Sequence, residues 1–184
     1  MSFPRPRKAA APLNEAGLHD YAVKALGRRM RTEAELRRLM SARVEPGEPG
    51  EALINAVVVR LREYGYLNDQ AYAEVYARLR HENEKLGARK VRQSLEQKGV
   101  AREIVEQTIE ARYGGQDEAA LLREHLERKR IAQPTNEKET ARVMRRLVAA
   151  GFSTGSIYKV LRQWGAPDET LAALDSVEEE REES

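Results

Sequence analysis

Apolar residues recur at helical spacing almost without interruption from Leu18 to Trp164, and glycine cuts the runs at repeated places. When Gly99 is laid on Gly151, the flanking stretches superimpose without a gap. Val91 falls on Val143, Leu95 on Leu147, Val100 on Phe152, Val105 on Ile157 and Ile109 on Leu161, while Tyr113 against Gly165 is a mismatch. A glycine between two amphipathic helices, occurring twice in one register, indicates a helical array built from a repeated unit. The first third of the chain carries the same order of helices with a longer connection at Val44–Gly50.

About nine helices in threes are therefore expected. The implied fold is all-α: an elongated, curved tandem array of three three-helix, helix-turn-helix-like units, each contacting mainly its neighbours. The expected division is a basic, Pro-rich disordered tail over 1–16, units over 17–66, 67–115 and 116–166, and an acidic tail over 167–184. Thr32 and Glu35 stand at capping-box spacing, and Asn68 or Asp69 is placed to cap the fourth helix. The segment VEPGEPG, Val44–Gly50, reads as a loop. The third helix should turn Leu53, Ala56, Val57, Val58 and Leu61 inward, and the fourth should bury a stripe of Tyr72, Val75, Tyr76 and Leu79. A short stretch after Pro167, DETLAALDSV, can add a last turn or two.

Composition supports thin cores rather than one thick one. Aromatic residues are 5% and charged residues 34%, and the strong helix formers Ala, Leu, Glu, Arg and Lys dominate. The chain has no Cys, which excludes disulfides, thiolate catalysis and cysteine–zinc sites and suits a reducing cytoplasm. It has no apolar run of about 18 residues, so no membrane span is expected. The net charge of +2 hides an asymmetry. Asp175–Ser184 holds six acids and one base, which leaves 31 bases against 24 acids in residues 1–174. A basic body with an acidic end suits a polyanionic partner, with which the tail can compete.

The side chains offer no catalytic constellation. His19, His81 and His125 each stand alone on polar helical stretches and are expected to be solvent-exposed. The chain lacks a phosphate-binding glycine loop, a paired-histidine metal motif and a serine nucleophile set with a histidine partner, so no catalytic residue, metal site or cofactor is assigned. The bases are more informative. Seven lie between Lys24 and Arg43. Arg89, Lys90, Arg92 and Lys98 mark the second helix of the middle unit, and Lys138, Arg142, Arg145 and Arg146 mark its counterpart in the last unit. Opposite the apolar stripes, these bases can form a ribbon for phosphates or for an acidic protein groove. Arg89, Lys90, Arg92, Lys98, Arg142, Arg145 and Arg146 are accordingly the candidate partner-binding residues. A second reading, a stand-alone helix-turn-helix DNA-binding protein, takes Ala149-Ala150-Gly151 as the turn and Ser153–Gln163 as the recognition helix, with Ser153, Thr154, Ser156 and Lys159 facing DNA. Against it, the matching helix of the middle unit carries Glu103 and Glu106, which repel phosphate.

The block from Tyr64 to Val100, YGYLNDQAYAEVYARLRHENEKLGARKVRQSLEQKGV, closely resembles the signature region of RecX regulatory proteins. The shared features are an aromatic-Leu-Asn-Asp turn (Tyr66, Leu67, Asn68, Asp69), a small-residue helix with Tyr72, Ala73 and Arg78, then Gly87, a basic helix, and the Leu95, Lys98, Gly99 step. ALGRRMRTEAELRRLM and RRLVAAGFSTGSIYKVL are similar as well, so the resemblance spans roughly Leu18 to Trp164. It implies a non-catalytic, cytoplasmic, monomeric regulator made of three tandem three-helix units. Such a protein binds RecA filaments on single-stranded DNA, with weak non-specific DNA binding of its own. It restrains filament extension, ATPase, strand exchange and co-protease function, and so recombination, DNA repair and the SOS response. Within the signature, Tyr66 and Leu67 are expected to pack a junction and Asp69 to cap a helix. The Pro-rich N-terminus and the VEPGEPG segment depart from the family pattern.

Overall fold

The computed structural model describes residues 11–166. Most of the Pro-rich tail, the acidic tail and the expected turns after Pro167 lie outside the described residues. Within them the chain is all-helical: nine α-helices, no strand, and one π-helical turn. The helices are α1 (Glu15–Arg28), α2 (Glu33–Ser41), α3 (Glu48–Glu63), α4 (Asp69–Leu79), α5 (Ala88–Gln97), α6 (Arg102–Tyr113), α7 (Glu118–Arg128), α8 (Glu137–Ala149) and α9 (Thr154–Gln163), with the π turn at Arg80–Glu84. They follow in the expected triplets. Packing gathers them into two compact units: residues up to Tyr72 with Lys98–Ala101, and Ala73–Gln97 with Arg102 onward.

In the first unit, α1, α2 and α3 pack on one another around Leu18, Ala22, Leu36, Met40, Ile54, Val57, Val58 and Leu61. Short polar side chains start these helices. The Asn14 carboxamide accepts from the Gly17 amide at 2.9 Å, and the Thr32 hydroxyl accepts from the Glu35 amide at 3.1 Å. The VEPGEPG segment is shorter as a loop than expected, because α3 already begins at Glu48. Pro49 sits in the first turn, where its missing N–H costs nothing, and Gly50 is buried where a Cβ would overlap the Glu45 carbonyl. The inward face of α3 holds at Val57, Val58 and Leu61, but Ala56 is exposed.

The second unit centres on Leu122, Leu126, Met144, Leu147, Phe152, Ile157, Val160 and Leu161, where α9 packs on both α7 and α8. The expected stripe of α4 is rotated. Ala73 and Ala77 are buried beside Tyr72, Val75 and Tyr76 are half-buried, and Leu79 is 42% exposed. Small residues let the helix approach its neighbours closely, and apolar periodicity alone overlooks alanine. Every pair of the internal repeat is buried on both sides: Val91 and Val143, Leu95 and Leu147, Val100 and Phe152, Val105 and Ile157, Ile109 and Leu161. Gly99 and Gly151 share a left-handed backbone, with φ of 75° and 92°.

The two anchor glycines do more than turn the chain. In the first unit the Thr32 hydroxyl donates to the Lys98 carbonyl at 2.6 Å, and Gly99 lies so near Ala34 that a Cβ there would overlap the methyl group. In the second unit the Gly87 amide donates to the Ala150 carbonyl at 3.0 Å and the Arg89 amide to the Gly151 carbonyl at 3.3 Å. A Cβ on either Gly87 or Gly151 would strike the opposing backbone. The same joint is thus built twice. The start of a second helix (α2, α5) docks on the left-handed turn that closes another second helix (α5, α8), and donor groups at the first reach carbonyls at the second.

The expectation that all three histidines face solvent is corrected: His19 and His81 are half-buried and His125 is buried. His125 is only 2% exposed, its ring edge lies against Phe152 at 5.4 Å, and its Nδ1 is 3.1 Å from the carbonyl oxygens of Glu84 and Lys85. Two carbonyls can only accept, so Nδ1 carries the proton. Burial pushes the pKa of His125 down, and nearby Lys129 and Arg146 add to this against the opposing hydrogen bond to Lys85. Tyr66 is a second correction. It is 58% exposed, edge-on to Tyr64, and leaves the junction to buried Leu67.

Two predictions follow from these packings. Gly151→Ala should cost about 2–4 kcal/mol, from the left-handed backbone and from overpacking against Lys90. Gly155→Ala, with open space around it, should be neutral or slightly stabilising. Urea midpoints of the two variants measure the difference. For His125 the folded pKa is depressed, so its contribution is complete above its unfolded value of about 6.5 and is lost as pH falls below it. Urea midpoints should decline from pH 7 to 5.5 in the wild type and decline less in His125→Gln.

Candidate interaction cleft

The basic residues singled out in the sequence do not all serve one surface. Arg89, Lys90 and Arg92 project from α5 into a cleft of about 530 Å³, which they share with Gln93 and Glu96. The opposite wall is the end of α8 and its turn: Val148, Ala149 and Gly151. The Gly87–Gly151 joint holds the two walls together, because the Arg89 amide is one of its donors. Arg89 is exposed and makes no ion pair among the described residues, and Lys90 reaches only Gln93, at 3.4 Å. Arg92 is different. Its Nε and Nη2 both donate to the Glu106 carboxylate of α6, each at 3.1 Å, so much of its charge is neutralised.

Arg142, Arg145 and Arg146 are exposed on α8, whose buried face is Thr140, Val143, Met144 and Leu147. Helical spacing puts Arg145 one turn before Val148 and Ala149, and Arg142 one turn before Arg145. None of the three makes an ion pair among the described residues, though Arg142 lies close enough to Glu139 to help hold that carboxyl below its usual range. Hydrogen bonds from the Thr135 amide and hydroxyl contribute most to the Glu139 shift. The α8 arginines therefore continue the wall of the cleft along one helix face.

Lys98 belongs to the first unit and serves its packing. Its Nζ donates to Glu35 at 2.8 Å and lies 5.8 Å from the centre of the Tyr72 ring. Burial alone would raise Glu35, but the Lys98 ammonium, aided by the Thr32 amide and Arg29, outweighs it and holds the carboxyl low. Asp69 caps a helix as expected, but not its own. Its carboxylate accepts from the Glu33 amide at the start of α2, at 2.9 Å, while Asn68 accepts from the Ala71 amide of α4.

The serines of the helix-turn-helix reading are already engaged. The Glu118 carboxylate accepts from the Ser153 amide at 3.0 Å, from the Ser156 hydroxyl at 2.7 Å and from the Ser153 hydroxyl. An acid thus occupies the start of α9, where a DNA phosphate would have to sit. Sequence reasoning missed Glu118, and it took Glu106 as an acid that repels phosphate without seeing that it holds Arg92. Both are glutamates on charged helices, and nothing in their local spacing sets them apart. No helix of the described residues is long and apolar enough to cross a membrane.

Comparison with known proteins accounts for this architecture. Residues 68–109 match the model of the second three-helix domain of RecX. The chain is 35% identical over 136 residues to the regulatory protein RecX of Thermus thermophilus, covering 73% of this chain and 83% of that one. It is 31% identical over 163 residues to the regulatory protein RecX of Thermobifida fusca, covering 86% and 84%. The chain belongs to the RecX family. With the RecX of Deinococcus radiodurans it shares 41% identity over 111 residues, which spans half the length of that protein. Two crystal structures share the fold. One is titled regulatory protein RecX, with TM-score 0.67 and 22% identity over 81% of this chain and 73% of the other. The second is RecX from Lactobacillus salivarius, with TM-score 0.65 and 20% identity over 82% and 96%. This RecX-family chain therefore has the family's repeated three-helix fold and a regulatory role.

The divided placement of the bases separates stability from binding. Lys98→Met should lower stability by about 1 kcal/mol, because it strands the partly buried Glu35. It should leave retention on a heparin column unchanged. Arg89→Glu combined with Arg145→Glu should do the reverse, eluting at markedly lower salt with an unchanged urea midpoint.

Proposed function

We propose that this RecX-family protein binds RecA filaments assembled on single-stranded DNA and lowers RecA activity: filament extension, ATPase, strand exchange and co-protease function. The observation that supports this most directly is a cleft where exposed Arg89 and half-buried Lys90, with exposed Arg145 beside them, have no carboxylate partner among the described residues, while Arg92 of α5 and Lys98 just past it are paired. Unpaired arginines on a preformed wall retain their capacity for bidentate contacts with carboxylate or phosphate. In this reading Arg89, Lys90, Arg92, Arg142, Arg145 and Arg146 face the partner, and Lys98 contributes through the fold that presents them. The repeat units are taken as 17–66, 67–115 and 116–166, and the protein acts as a cytoplasmic monomer.

No bond chemistry is needed. A protein that binds one state of a filament better than another shifts the filament toward that state by the difference in affinity. Direct contact with DNA phosphates would be weak, non-specific and salt-sensitive.

The purified protein should depress the single-stranded-DNA-dependent ATPase of RecA at near-stoichiometric ratios. The Arg89→Glu, Arg145→Glu double variant should need at least about tenfold more protein for the same inhibition, equivalent to about 1.4 kcal/mol of lost binding. Unchanged ATPase at several-fold excess of the native protein would overturn the proposal.

A further inference from the structure

We infer that the α5–α8 cleft is also the seat of the protein's own acidic end, Asp175–Ser184, so that the tail and the external partner compete for the same arginines. This rests on the reading of the cleft as the partner-binding surface, but its occupant is a segment of this chain.

Three observations support it. The first is charge. Residues 175–184 hold six acids and a single base, while exposed Arg89 and Arg145 and half-buried Lys90 lie around the cleft without an ion pair among the described residues. Arg92 shows what such a cation does when a carboxylate is in reach, taking Glu106 in a two-pronged contact. The second is reach. The described chain ends at Ala166, just past α9, and α9 packs on α8, whose end forms one wall of the cleft. The nine residues from Ala166 to Asp175 can span up to about 30 Å. A compact unit of roughly 90 residues has a radius of gyration of about 12 Å, so a reach of about 30 Å is comparable with its width and takes in the neighbouring α8. The third is tethering. A segment on so short a leash experiences its own unit at an effective concentration near millimolar, which makes even weak charge pairing competitive. The apolar patch of Val148 and Ala149 adds a match for Val177, the apolar residue directly ahead of the acid run.

The consequence is self-restraint. An incoming polyanion or acidic groove must displace the tail, so weak, non-specific partners are rejected and a large, multivalent one is accepted. Salt weakens the tail contact as it weakens any exposed pairing.

The test compares the native full chain with a full chain whose tail acids are neutralised (Asp175→Asn, Glu178→Gln, Glu179→Gln, Glu180→Gln, Glu182→Gln, Glu183→Gln). The probe is a fluorescein-labelled peptide of sequence DSVEEEREES, read by anisotropy at low salt. The neutral-tail chain should bind the peptide at least about fivefold more tightly than the native chain. Arg89→Glu with Arg145→Glu in the neutral-tail background should remove that binding. Carbodiimide treatment of the native chain should join the Lys90 amine to a tail glutamate within one molecule. Equal peptide affinities for the two chains would overturn the inference. So would linkage to Lys24, Lys129 or Lys138 as frequent as to Lys90, or linkage mainly between molecules. None of these readouts contains RecA. If neither chain inhibits RecA but the peptide and linkage results hold, the proposed function fails and the tail contact stands. If both hold, the neutral-tail chain should inhibit RecA at several-fold lower concentration than the native chain.

Discussion

The rest of the structure depends on a contact between two stretches of main chain. At Gly87 and Gly151 the backbones come so close that neither position has room for a Cβ, and two amides at the start of α5 donate to the carbonyls of Ala150 and Gly151. Those amides would otherwise be among the unsatisfied donors of a helix start. The joint therefore does several things at once: it ends α8, begins α5, pairs two amides of α5 with two carbonyls at the end of α8 and holds the walls of the cleft together. In the first unit Thr32 takes the place of Gly87. A hydroxyl supplies the hydrogen bond to the Lys98 carbonyl, and the glycine survives only on the other side, at Gly99. One geometry is thus reached by an amide in one case and by a side chain in the other.

This duplication explains why so much of the fold was legible in the sequence. The repeat that aligns Gly99 with Gly151 marks the two turns that make the joints, and every apolar pair flanking them is buried. Boundaries set by local chemistry were also readable: the Thr32 cap and the Asn68 cap both hold a backbone amide. The misreadings have a common cause. Ala73 and Ala77 carry the packing of α4, Gly50 lets the backbone double back within VEPGEPG, and His125 is buried by Phe152 from far along the chain. In each, the residue's own polarity or size points the wrong way, and for His125 the deciding neighbours Phe152, Glu84 and Lys85 are remote in sequence.

The cleft was legible in kind but not in detail. Composition marked the bases of α5 and α8 as a group. Which of them are available depends on acids elsewhere: Glu35 takes Lys98, Glu106 takes Arg92, and Glu118 closes the start of α9. A count of bases along a helix cannot separate a cation that holds the fold from one that meets a partner. The separation comes from the second partner in each pair, and those partners lie on other helices.

A joint made of main chain has a consequence for how such a protein changes over generations. It asks for smallness at Gly87, Gly99 and Gly151 and for almost nothing from the faces around them. Outer side chains of α5 and α8 that hold no other helix, such as Arg89 and Arg145, can then be rewritten with little cost to the architecture that carries them. Structures only 20–22% identical to this chain nevertheless overlay on it with TM-scores of 0.65–0.67. A scaffold whose hinges are written in backbone can keep pace with a drifting partner, altering its grip while its frame stays as it was.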